Sequence, residues 1–597
     1  MSLILCVVGL ASIVVWIRVV APRLGLALGV PTVATAHLAI VVAALLATHV
    51  LRIGAVWAVV AVLAVVGVVG IAAGMRMARE RPWPKPSRRT VLVWSSAATG
   101  VVAWLLIRLL SIVVPGASVV SWAMEGDATN NLHFARRLLD ENGIAIGADA
   151  NPVPLTSSLI ALALGERRDG TDLMTDLIAY GAVWTLLLAI LCVVCSVAFT
   201  TLIPIGRPRL LVVFGVLGSL LPFGWLVAGL PIGAGYFNTH IALPLLVGAW
   251  LVFLSASRAP VVAIVVLAGI ATLLLITWSP ALLFPVALGA VLLVRHRSEV
   301  ARIRGWNWSL PALAILAPIA IATTLTIPAF GVQQSALVAP GTGYASTLYL
   351  ALALATIAVV LAALARRRIG AVVFAGVIGL AGAGYAGAAI LLSLSAELFN
   401  PWDGYYVAKF LWLTTVLLLV VAGSITAAAA ASVQHDRRRW FAVAGAAAGI
   451  AAVATGLVIP TDTGRLTPAQ LILGGNVWQT GDEAVAVISA LSARDEVSIV
   501  WDSESPDEAM INYWTLDAAG GHIGGDETLR RFSFEEYSAF RQLGTHDSAA
   551  RNGLCRVLRS PDHDVVIYTQ KETLESELTE TCTGSSARFV VGALPGS

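Results

Sequence analysis

Two carboxylates two positions apart, Glu125 and Asp127, stand in the stretch Trp122-Ala-Met-Glu-Gly-Asp-Ala-Thr-Asn-Asn-Leu-His-Phe-Ala-Arg-Arg137. They follow an apolar run in a chain that is 58% hydrophobic and 12% charged, with a mean hydropathy of +0.85. A carboxylate beside a bilayer is costly to desolvate and points to function. There it can take a proton from a hydroxyl nucleophile or help to hold a hard cation. Asp127 also has a plainer reading. It stands just before an amphipathic stretch and could cap that helix by accepting from free backbone N–H groups.

Other polar residues gather at the mouths of apolar runs. The stretch Ala396–Phe410 combines Glu397, Trp402, Asp403, Tyr405, Tyr406 and Lys409. Aromatic residues at such places anchor a protein at the membrane interface. A lone cation at headgroup level suits a lipid phosphate, and snorkelling is the alternative. Arg108 lies inside an apolar run, where a guanidinium pairs with a carboxylate or contacts an anion. Pro231–His240 adds Tyr236, Asn238 and His240, the last read as a satisfied surface histidine or a ligand.

The elements that must position these residues are membrane helices. Apolar runs of about 16 to 26 residues recur as far as Pro460, each long enough to cross a hydrocarbon core. No soluble globular protein has this balance of residues. The first run, Leu3 to Val20, lacks a basic leader and a small-residue cleavage site and reads as a retained span. One alternating set of connecting segments carries 21 Lys and Arg, the other only 6, so the first set is expected to be cytoplasmic. That alternation predicts an all-α polytopic membrane domain, residues 1–460, of about 14 transmembrane helices. They fall at 2–20, 33–51, 54–75, 90–114, 176–203, 209–230, 240–256, 260–278, 279–295, 308–327, 346–365, 369–394, 407–431 and 440–459. The 260–295 stretch is expected to bend at Trp278-Ser-Pro280. Both termini, the 115–176 loop with its acidic motif, and the Ala396–Phe410 loop are then extracytoplasmic. Within the long loop, Asp127 to Glu141 alternates apolar and charged faces, as in a helix lying along a membrane surface.

From Thr461 the composition changes to 21 acidic against 10 basic residues. Val497–Trp501, Val565–Tyr568 and Phe589–Val591 read as short buried strands. Gly481–Ala493, Asp507–Ala519 and Glu572–Leu578 read as helices. Residues 461–597 therefore form a small soluble α/β domain with enough residues for its own core, extracytoplasmic by parity. Cys555 and Cys582 are expected to pair there in a disulfide. Cys192-Val-Val-Cys195 and Gly382-Ala-Gly-Tyr-Ala-Gly387 match redox and nucleotide patterns by letter. Both lie in apolar spans, where packing is the better reading. No repeat, Walker or zinc-finger spacing is present, and nothing supports a nucleic-acid partner.

Met124-Glu-Gly-Asp127 followed by His133-Phe-Ala-Arg-Arg137 resembles the GT-C superfamily of polytopic glycosyltransferases. There an acidic motif in an early external loop, followed by an interface helix, supplies the catalytic Asp. The layout is similar to that of the actinobacterial cell-wall arabinofuranosyltransferases, although three spans precede the one leading into the acidic loop here. The resemblance implies a cell-membrane enzyme of cell-wall biogenesis. It would move arabinofuranose or mannose from a polyprenyl phosphate to an envelope glycan on the extracytoplasmic face. Asp127 would be the general base, and Glu125 would assist it or hold a divalent cation, Mg or Mn, as in some relatives. Lys409 and Arg108 would contact the donor phosphate. Tyr405, Tyr406 and Trp402 would line the sugar or lipid groove, with His240, Asp403 and His133 as further candidates. The C-terminal domain would bind or orient the acceptor. The rival readings are a transporter or flippase of lipid-linked saccharides and a non-catalytic scaffold for envelope assembly.

Overall fold

The computed structural model describes residues 2–80, 87–115, 117, 119–124, 126–146, 151, 153–165, 173–303, 305–328, 346–395, 404–431, 466–474, 482–494, 496–501, 508–519, 555, 558–559 and 564–595. The molecule is a bundle of apolar helices carrying a three-stranded sheet at its C-terminal end. Hydrocarbon offers no hydrogen-bond partners, so a chain this apolar satisfies its backbone internally, as helices. The first half runs α1 (Ser2–Leu24), α2 (Leu26–Leu51), α3 (Ala55–Glu80), α4 (Arg88–Val113), α5 (Ala128–Asp140), α6 (Pro154–Leu164), α7 (Leu173–Thr201), α8 (Pro208–Leu220) and α9 (Leu230–Gly233). Then follow α10 (Phe237–Ser255), α11 (Pro260–Trp278), α12 (Leu283–Arg295), α13 (Arg297–Val300), α14 (Ser309–Ile321), α15 (Ser346–Leu394) and α16 (Tyr405–Ala430).

Among the described residues, ten helices are long and apolar enough to cross a membrane, and a bent pair makes an eleventh. The chain is a multi-pass helical membrane protein. The bent pair, Pro208–Phe223 with Trp225–Gly233, turns by 46° where a single span, 209–230, is expected from the sequence. Gly224 and Pro222 stand at the break, the residues that a continued helix tolerates least. The 260–295 stretch does leave helical geometry at Trp278 (φ −164°, ψ 96°), and α11 and α12 pack on each other. Gly370 (φ 82°) interrupts α15 at the start of the second of the two spans expected there. The expected span 440–459 lies outside the described residues. Close approach of spans is bought by small residues: a Cβ on Gly100 of α4 would stand 2.3 Å from the Ser219 carbonyl oxygen of α8.

The long loop departs most from expectation. α5 forms where its pattern predicts, but α6 covers its apolar face (Ala128, Leu132, Ala135, Leu138). That face is therefore occupied by protein and is not free to lie along a lipid surface. The Arg136 guanidinium bonds Asp176 at 2.8 and 3.0 Å, tying α5 to α7. α6 is itself apolar but only 11 residues long, too short to cross a membrane.

The C-terminal part comprises α17 (Pro468–Leu473), α18 (Asp482–Ser492), β1 (Val497–Val500), α19 (Glu508–Ala519), β2 (Val565–Thr569), α20 (Leu574–Thr581) and β3 (Arg588–Val591). The strands are parallel in the order β1-β2-β3, with Val497 opposite Val565 and Val566 opposite Arg588. Parallel neighbours need crossover connections, which is why helices alternate with the strands. Cys555 and Cys582 form a disulfide with Cα atoms 5.1 Å apart.

Side chains alternate across the sheet. Val497, Ile499, Trp501, Val565 and Ile567 face a small core with Leu558, Leu574 and Leu578. Val500, Val566 and Tyr568 face the other way. They join a core that runs without interruption through α18 and α19 into the membrane helices. The C-terminal part thus has a core of its own on one face of the sheet and shares the core of the bundle on the other. The acidic composition of the tail gave no sign of this, because the shared face is made of ordinary apolar positions on α18 and α19.

Candidate functional site

Asp127 is the residue before α5, yet its side chain makes no capping bond. The capping reading does not hold. Its Oδ2 instead accepts a hydrogen bond from the Tyr405 hydroxyl, 278 residues away. Lys409 Nζ donates to the same hydroxyl at 2.7 Å and stands 3.6 Å from Asp127 Oδ2. Tyr405 and Lys409 are four residues apart at the start of α16 and so share a face, one turn above the other.

The donors in this triad have a fixed order. An ammonium only donates, so the Tyr405 oxygen must accept from Lys409 and its own proton goes to Asp127. Lys409 is 1% exposed, whereas the Asp127 side chain is 35% exposed. The lysine is enclosed by rings, its Nζ 4.2 Å from the centre of Tyr236, 4.9 Å from Tyr405 and 6.0 Å from Trp278. Their π faces stabilise a cation that has lost its water. Tyr406 stacks on Trp278 at 6.4 Å and meets Tyr405 edge-on at 5.4 Å. Lys409 is therefore not a surface cation at headgroup level. A phosphate would reach it only after Tyr405 or Tyr236 moved. What the sequence could not supply was the pair of rings from two other elements, Tyr236 before α10 and Trp278 ending α11, that close over it.

The backbone places the carboxylate. Gly126 has φ +48°, and a Cβ there would come within 2.1 Å of the Ala234 carbonyl oxygen. Only glycine lets the loop pass so close in that conformation. Asp127 N–H reaches the same carbonyl at 3.5 Å, and Asn131 Nδ2 reaches Gly235 O at 3.5 Å. The acidic loop is thus seated on the segment between α9 and α10.

The other expected residues are distributed unevenly. Arg108 does not join the triad. It donates to Val119 O at 3.3 Å and Ser111 Oγ at 3.4 Å and lies 4.8 Å over the Trp122 ring. Among the described residues it pairs with no carboxylate. His240 is fully buried, not at a surface: Trp184 Nε1 donates to its Nδ1 at 2.5 Å, and its Nε2 faces Val227 O at 3.3 Å. With Nδ1 accepting, Nε2 carries the proton, and neither nitrogen is left for a ligand. His133 lies further along α5, its ring 5.8 Å from that of Phe134. Glu125, Trp402 and Asp403 lie outside the described residues.

Among the described residues, no three His, Cys, Asp or Glu side chains gather as a cation site. Asp127 is the one carboxylate in the described part of the site, and Glu125, the other expected cation ligand, lies outside the described residues. Cys192 and Cys195 are buried free thiols. Gly384 and Gly387 make room for Thr414 and Phe410 of α16, so both letter matches are packing features.

Comparison with protein-family models, with curated proteins and with solved structures gives no match. The fold and the site define the class alone: a polytopic helical membrane protein with one partly open acid, Asp127, bonded to a half-buried tyrosine that is in turn bonded by a buried lysine.

Proposed function

We propose that the chain is a GT-C-type membrane glycosyltransferase acting on the extracytoplasmic face, with about 14 spans in all. It would move a sugar from a polyprenyl-phosphate donor to an envelope glycan. The observation that carries this reading is the asymmetry of the triad. One oxygen of Asp127 is bonded to Tyr405, with a buried ammonium behind it, while the side chain remains partly open.

A carboxylate held in this way suits a general base. Asp127 Oδ1 takes the proton of the acceptor hydroxyl as its oxygen forms a bond to the anomeric carbon. The bond between that carbon and the donor phosphate oxygen breaks, and its electron pair leaves with the polyprenyl phosphate. Arg108, free of any described carboxylate, is the cation proposed to meet the growing phosphate charge. Lys409 acts through Tyr405, fixing which oxygen of Asp127 is occupied. Tyr406, half-buried and backed by the buried Trp278, is the aromatic ring proposed to meet a sugar face.

Purified protein in lipid nanodiscs, given radiolabelled polyprenyl-phosphate sugars and a glycan acceptor, tests the reading. A covalent glycan product is expected. Movement of labelled lipid between leaflets without product would favour the flippase. Neither activity would favour the scaffold.

A further inference from the structure

The C-terminal module reaches back to the acid. Trp514 on α19 is fully buried, and its Nε1 donates to Met124 O at 3.1 Å, three residues before Asp127 in the chain. α19 itself cannot shift freely. Asn512 bonds both backbone groups of Val500 on β1, at 2.7 Å each, so the helix is fastened to the sheet edge. On the other side of the loop, Gly126 rests on the Ala234 carbonyl. Met124 is therefore held by α19, and Gly126 and Asp127 by the segment preceding α10.

We propose that Trp514 is a positioning residue for Asp127. The sheet and α19 act as a clamp on the acid loop, so that the carboxylate meets Tyr405 and Lys409 only when the module is docked. The inference rests on Asp127 being the reactive acid. Its structural core, the clamping of the loop, can be measured without any turnover. A buried indole whose one polar atom donates to a buried loop carbonyl holds that loop in register: losing the bond leaves the carbonyl unsatisfied.

The test uses the full chain in nanodiscs and two matched variants, Trp514→Phe and Trp501→Phe. Trp501 is equally buried in the same module, but among the described residues its Nε1 has no partner. Amide exchange is followed by mass spectrometry for residues 121–128 and for α10. Trp514→Phe is expected to speed exchange in 121–128 about tenfold, with α10 unchanged and Trp501→Phe silent. Where transfer is measurable, Trp514→Phe lowers kcat and leaves KM for the donor unchanged. Equal acceleration by both variants, or none by either, overturns the clamp. An inactive wild-type protein defeats the sugar-transfer reading and leaves the exchange comparison standing, so the two failures are distinguishable.

Discussion

Two polar clusters lie at the same end of the bundle and are built from similar parts. One joins Lys409, Tyr405 and Asp127; the other joins Trp184, His240 and the Val227 carbonyl. Each sets a titratable group among aromatic rings and fixes the order of its donors. They differ in one respect. In the second every member is buried and every nitrogen of the histidine is used, so the cluster holds α7, α10 and the bent segment together and can do nothing else. In the first the chain of donors ends on a carboxylate that remains 35% exposed. A buried polar network is a structural device until one of its members has both an unused lone pair and a route to solvent.

Mutations can break that comparison. The largest effect is expected for Asp127→Asn, which keeps the shape and removes the base: transfer should fall by about 10²- to 10⁴-fold with folding intact. Near-normal turnover in a radiolabel assay would take Asp127 out of the chemistry. Lys409→Met is next. It removes a hydrogen bond to a charged group and should lower kcat by roughly 10- to 100-fold. If the KM for the donor rises instead, Lys409 contacts the phosphate directly after all. Tyr405→Phe should cost about tenfold, since the lysine can still lie 3.6 Å from the carboxylate. The smallest catalytic effect belongs to the closed cluster. Trp184→Phe should lower stability by about 1–3 kcal/mol by leaving His240 Nδ1 unpaired. A thermal melt should register that loss while the rate per folded molecule is unchanged; a large rate loss would erase the distinction between the clusters.

Much of this architecture could be read directly from the chain. Apolar runs of span length located the described membrane helices, and short apolar runs located all three strands within a residue or so, although β3 is mostly exposed where a buried strand is expected. The parity of Cys555 and Cys582 anticipated their disulfide. Asp127 and Tyr405 both stood out because each is polar at the mouth of an apolar run. Their contact did not, because nothing local encodes a pairing across 278 positions. The burial of Lys409 was hidden for the same reason, since its cover comes from Tyr236 and Trp278 on other elements. α6 escaped because 11 apolar residues match neither a span nor an amphipathic stripe. The capping reading of Asp127 was sound on local grounds and lost to a tertiary contact: a full ammonium and a phenol proton outbid backbone N–H groups that water or neighbours can satisfy.

The bond from Trp514 to Met124 spans 390 positions. A ribosome must therefore add 390 residues after Met124 before this bond can form. A nascent chain that has not yet reached Trp514 carries the Met124 carbonyl without this donor. The seating of the loop that carries Asp127 is then a late step of biosynthesis, reached only after every described membrane helix has been made.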